Sequence, residues 1–105
     1  MSSGRKRPER TARRVEERDA RKRVRDREKL AALSPGGARE RPIDVASSAV
    51  IEGRTGSLPC PQCEGQYRII DHRSAGPGLR CLDVACRQCG TPRTLWFRIT
   101  VDEPN

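Results

Sequence analysis

A chain of 105 residues that is 33% hydrophobic and 34% charged, with Tyr67, Trp96 and Phe97 as its aromatics, is too polar to bury a core along its whole length. The formal charge of +8 is unevenly placed: residues 1–41 hold 15 Arg/Lys against 7 Asp/Glu, and residues 42–105 hold 7 of each. That balance leaves room for one small folded domain behind a basic arm. It also excludes a membrane span, because the longest apolar runs, Leu30 to Leu33 and Leu95 to Phe97, are far too short.

Residues 1–7 read as a short, basic, disordered start. Pro8 suits a first helical position, and residues 9–33 contain no further Gly or Pro among Arg, Glu, Ala and Leu, so the sequence predicts a charged helix over 8–33. Glu9/Arg13, Glu17/Arg21 and Asp19/Arg23 are i,i+4 pairs with the acid on the N-terminal side, each worth about 0.2–0.5 kcal/mol. Val15 and Val24 fall on opposite sides at about 100° per residue, so no apolar stripe exists and a solvated single helix is expected. Ser34-Pro35-Gly36-Gly37 ends it.

Residues 34–57 read as a linker containing two apolar clusters, Ile43/Val45 and Val50/Ile51. The second predicts an added edge strand at 49–54, covering an otherwise open sheet. From residue 58 the pattern changes. Gln66 to Arg73 reads as a strand, Ser74 to Gly78 as the breaker-rich tip of a hairpin, and Leu79 to Ala85 as the returning strand. In residues 93–101, Leu95, Phe97, Ile99 and Val101 alternate with Thr94, Trp96, Arg98 and Thr100, which predicts a third strand with one buried face. Residues 102–105 are a frayed tail.

Five cysteines carry the chemistry. Cys60-Pro61-Gln62-Cys63 and Cys86-Arg87-Gln88-Cys89 are two C-x-x-C pairs with 22 residues between them, the spacing at which two tight turns joined by a hairpin bring four sulfurs to one structural ion. Pro61 fits the first turn by fixing φ. Gly65 and Gly90 follow the pairs, where positive φ or close approach to sulfur is required. Four thiolates around Zn²⁺ carry a charge of −2, and Arg80, Arg87 and Arg93 are candidates to offset it. Iron in a four-thiolate site is the alternative metal. The 46 residues from Cys60 to Asn105 are close to the size that needs such a staple, and zinc supplies an apparent ~10–16 kcal/mol in small zinc peptides.

Cys60, Cys63, Cys86 and Cys89 with their flanking glycines resemble the zinc ribbon superfamily, two knuckles joined by a β-hairpin with a third strand following. Residues 58–101 as a whole, with Trp96-Phe97-Arg98-Ile99 after the second knuckle, are similar to small uncharacterised bacterial zinc-ribbon proteins. The resemblance implies a metal-stabilised three-stranded antiparallel sheet with one structural Zn²⁺ per chain. Glu64, where the pattern has glycine directly after the second cysteine, is a departure.

The remaining reactive residues do not assemble a catalytic set. Cys81 does not fit knuckle spacing and reads as a partly buried free thiol on the second strand. His72, the single histidine, has Asp71 beside it, but neighbours on a strand point to opposite faces, so a solvent-facing His is expected. Trp96, flanked by Arg93 and Arg98, either packs against the linker or offers a stacking surface.

These features together predict a noncatalytic zinc-binding module whose arginine-rich arm contacts RNA, DNA or a nucleoprotein complex. The preference of 19 Arg over 3 Lys suits bidentate phosphate contacts, whereas the interleaved acids dilute the arm. The layout resembles several small ribosomal proteins. A protein–protein adaptor without a nucleic-acid role is the alternative. A thiol redox enzyme lacks the βαβ surroundings its C-x-x-C would need. The odd cysteine count, the C-x-x-C pairing and the lack of a secretory segment predict a reducing, cytoplasmic setting.

Overall fold

In a computed structural model, which describes residues 6–100, the chain forms six elements: α1 (Lys6–Leu33), β1 (Ile43–Val45), α2 (Ser48–Gly56), β2 (Tyr67–Gly76), β3 (Leu79–Cys86) and β4 (Pro92–Ile99). The expected start at 1–5, Val101 and the tail at 102–105 lie outside the described residues. Lys6 and Arg7, expected in a disordered start, already belong to α1. Pro8 is the third helical residue, where a missing N–H costs nothing because the first turn has no partner for it. Among the described residues no helix is long and apolar enough to cross a membrane.

The strands form one mixed sheet in the order β1-β4-β3-β2. The antiparallel meander β2–β3–β4 matches the three expected strands, with Cys81 opposite Trp96 and Leu82 opposite Leu95. The sheet is nevertheless not three-stranded and purely antiparallel. Residues 43–45 add a fourth strand, parallel to β4, that pairs Ile43 with Phe97 and Val45 with Ile99. The edge strand therefore exists, but it is built from the first apolar cluster of the linker. Ile43 and Val45 are buried and Asp44 between them is exposed, the period-2 pattern of a strand with one wet face.

Residues 48–56, expected to hold the edge strand at 49–54, are helical instead. Ile51 and Thr55, four apart, are both buried on one face of α2, whereas Val50 is exposed. The buried Thr55 hydroxyl donates to the Ile51 carbonyl at 2.9 Å, so its burial leaves no polar group unpaired. Tertiary burial of this face overrides the weak helix propensity of Gly53 and Gly56.

One face of the sheet carries the core: Leu82, Val84 and Cys86 from β3, Leu95 and Phe97 from β4, Tyr67 from β2, and Ile51 from α2 laid across them. In β2 the register slips between Ile69 and Asp71, so Ile70 has no partner and stands exposed. The opposite face is more polar. There Arg73 grips Asp83 through two hydrogen bonds of 3.0 Å, and Thr94 donates to the same carboxylate at 2.9 Å.

α1 is exposed from Arg10 to Arg27, as a helix without an apolar stripe should be, but it is not wholly solvated. Its last turns dock on the domain. Ala31 is buried, and Glu28 accepts hydrogen bonds from Arg93 and from Gln62, each at 2.6 Å. The Gln62 amide also donates to the Val24 carbonyl at 3.0 Å. Hydrogen bonds from Ser34 to the carbonyls of Leu30 and Ala31 close the helix.

Candidate metal centre

Cys60, Cys63, Cys86 and Cys89, two pairs with 22 residues between them, place their four sulfurs within 4.8 Å of one another. Cys60 and Cys89 sulfurs are 3.8 Å apart and those of Cys63 and Cys86 are 3.3 Å apart. Thiolates tetrahedrally placed at about 2.3 Å from one ion stand about 3.8 Å from each other, so the cluster has the size to hold a single metal ion. All five cysteines are free thiols. Cys81 does not join the cluster; it is buried on β3, opposite Arg73 and Trp96.

The two cysteine turns are built alike. In the first, the Glu64 N–H donates to the Cys60 carbonyl at 2.7 Å and the Cys60 N–H to the Gly65 carbonyl at 2.9 Å. In the second, the Gly90 N–H donates to the Cys86 carbonyl and the Cys86 N–H to the Thr91 carbonyl, both at 3.0 Å. The residue four places after the first cysteine is left-handed in each turn: Gly90 has φ 78° and Glu64 φ 64°. Glu64 therefore departs from glycine in chemistry and not in shape, and carries the strain of an L residue there. Gly65 serves differently. A Cβ on it would lie 2.8 Å from the Gln88 Cβ, 2.9 Å from the Cys86 sulfur and 3.2 Å from that of Cys63, so the two turns close on each other over a bare backbone. The Arg87 N–H donates to the Gln66 carbonyl at 2.8 Å and ties the turns together.

Backbone N–H groups and a hydroxyl favour charge on the Cys86 and Cys89 sulfurs. The Cys86 sulfur accepts from the N–H groups of Cys89 and Gln88 at 3.4 and 3.3 Å, and these bonds, led by Cys89, lower its pKa against the cost of burial. Cys89 lies 3.0 Å from the Thr91 hydroxyl; that contact and the Thr91 backbone bring its pKa down to about 6. For Cys63 the Gly65 backbone favours the thiolate, but contact with Cys86, burial, and contact with Cys89 and Cys60 outweigh it and push the pKa up to about 12. A cation bound by the cluster would have to displace the proton that Cys63 holds in these surroundings. Arg87 is exposed, and Arg93 is turned to Glu28 and Tyr67.

Thr91 and the Glu28–Arg93–Gln62 clasp were not singled out by spacing. Gln62 lies inside the first C-x-x-C, so the same turn that presents Cys60 and Cys63 also holds the end of α1. His72 is not solvent-facing: its side chain is 21% exposed, with Nδ1 3.9 Å from Glu52 and Nε2 buried without a hydrogen bond. Asp71 accepts only from the His72 backbone and lies 3.8 Å from Arg73, so the adjacent pair forms no dyad. Trp96 is half-buried, with the Arg39 guanidinium 6.0 Å above its ring and its backbone N–H on the Gly36 carbonyl. Compared with family models, curated proteins and solved structures, the chain matches none.

Proposed function

We propose that this chain is a noncatalytic zinc-ribbon module: one structural Zn²⁺ held by Cys60, Cys63, Cys86 and Cys89 organises the sheet, and arginine-rich α1 binds nucleic acid or a nucleoprotein complex. The observation that carries the reading is the closed set of four sulfurs presented by two matching turns. Four thiolate ligands complete a tetrahedral shell and leave no position for water or substrate, which is the design of a structural site. The ion would act as a crosslink between the turns. Zinc is preferred because a closed four-thiolate shell suits a redox-inert d¹⁰ cation, and the same ligands holding iron would give a coloured protein.

The arm supports the second half of the reading. α1 holds twelve Arg/Lys and six Asp/Glu, and its side chains are exposed from Arg10 to Arg27. Guanidinium groups held out from a domain attract phosphates and release their counterions, so binding of this kind weakens steeply with salt. The test is the ultraviolet absorbance ratio of purified protein before and after nuclease treatment, run beside elemental analysis. One equivalent of zinc and nuclease-sensitive nucleic acid are expected. Protein that is free of nucleic acid and that binds no labelled DNA or RNA at low salt overturns the binding role, and a specific protein partner lost on Trp96→Ala would assign the adaptor role instead.

A further inference from the structure

The helical register of α1 sorts its charges in a way that a linear reading hides. At about 100° per residue, Arg10, Arg14, Arg18, Arg21 and Arg25 fall within roughly 80° of arc. They form one straight row about 22 Å long at 1.5 Å per residue. Glu16, Asp19 and Asp26 lie on the far side of the helix, and Glu17 borders the row at one edge. The docked end of α1 begins beyond the row: buried Ala31 lies about a quarter turn from the row's centre, and Glu28, which takes the Arg93 and Gln62 hydrogen bonds, falls at the row's edge three residues past Arg25. All five arginines are exposed, and among the described residues none of them forms a salt bridge.

We infer that this arginine row is a phosphate-tracking face for a double-stranded nucleic acid, laid along one backbone strand and read without regard to base sequence. The inference rests on the nucleic-acid reading above and adds the face, the geometry and the duplex. One strand of a duplex presents a phosphate about every 3.4 Å of axis while winding once in about 34–36 Å, so the row meets only the few phosphates where it lies tangent to the strand. A rigid row suits phosphates that base pairing holds in fixed positions, whereas a single strand would have to be ordered on binding. The acids set the depth. A helix sunk into the major groove would turn Glu16, Asp19 and Asp26 towards the second phosphate strand, so repulsion keeps α1 on the ridge with its acidic side outward.

Two triple variants with the same net charge test this in the full-length, metal-loaded protein: Arg14→Gln/Arg18→Gln/Arg21→Gln on the row, and Arg13→Gln/Arg23→Gln/Arg27→Gln off it. Helix content is checked by circular dichroism, and affinity is read by fluorescence anisotropy over a salt series. The probes are fluorescein-labelled DNA and RNA duplexes of about two helical turns, with the single strand of each. The row variant is expected to lose at least tenfold in affinity for duplex and to flatten the logarithmic salt slope by about 2 to 3. The off-row variant should lose less than about threefold. The DNA and RNA arms report which duplex is tracked. Equal losses in the two variants, or tighter binding of the single strands, overturn the face while leaving α1 as a nucleic-acid arm; no binding of any probe by the unaltered protein overturns the reading on which the face rests.

Discussion

Cys86 and Cys81 sit five residues apart on one strand and are both buried, yet they have different surroundings: the Cys86 sulfur lies within 4.8 Å of three other sulfurs, whereas Cys81 stands between Arg73 and Trp96 on the flanking strands. Cys86→Ala should abolish stoichiometric metal and the folded sheet, whereas Cys81→Ala should keep the full metal content and cost about 1 kcal/mol in denaturant unfolding of the holo-protein. The strained left-handed Glu64 gives a second comparison. Glu64→Gly should stabilise by up to about 1 kcal/mol, while Gly65→Ala, whose Cβ meets two sulfurs, should destabilise by about 1–3 kcal/mol and weaken metal retention against a chelator. The Glu28 carboxylate is held below its ordinary range mainly by the Arg93 hydrogen bond, with burial opposing and Gln62 assisting. Its stabilising effect is therefore present above about pH 4.3 and fades as pH falls through the lower folded value. Glu28 is 41% exposed, so the effect is below about 1 kcal/mol, and Glu28→Gln should remove that part of the acid dependence of helix docking, read by amide exchange in α1. The clustering of Cys60, Cys63, Cys86 and Cys89 was legible from spacing alone because two C-x-x-C pairs specify a shape. Thr91 was not, since a hydroxyl two residues after a cysteine is a signal only once the turn that points it at sulfur is known.

At the scale of elements, the meander β2–β3–β4 was legible because alternation of Leu95, Phe97 and Ile99 and the breakers at Gly76-Pro77-Gly78 are local signals. The two linker clusters were harder. Ile43-Asp44-Val45 and Val50-Ile51 look equally strand-like over so short a span, and what separates them lies outside each cluster: Ile51 has Thr55 four residues on, and both are buried against the sheet. Thr55→Asp should therefore destabilise by about 2–4 kcal/mol, because it places an unpaired charge where an exposure of 1% leaves no room for water, whereas Val50→Asp on the outer side should shift stability by less than about 0.5 kcal/mol. Thermal unfolding of the two variants checks the assignment of α2. The docking of α1 was also invisible in its own residues, since it has no apolar stripe. It is made by polar groups, Glu28 on the helix with Gln62 and Arg93 on the domain, 34 and 65 residues away in sequence.

For the whole molecule, one chain of contacts runs from the sulfurs to the arm. The turn that carries Cys60 and Cys63 also carries Gln62, Gln62 holds Glu28 and the Val24 carbonyl, and the helix so held carries the exposed arginine row. Losing the ion should then do two things together: loosen the sheet, whose core of Leu82, Val84, Phe97 and Ile51 is small, and release the end of α1 from its clasp. Chelation and reloading of the full-length protein, followed in one titration by elemental analysis and by near-ultraviolet circular dichroism of Trp96 and Tyr67, measures this most directly. The account predicts one equivalent of zinc per chain, a tertiary signal lost as the ion leaves, and its return on adding zinc back. Reduced protein that keeps the same signal in excess chelator with no bound ion would contradict it.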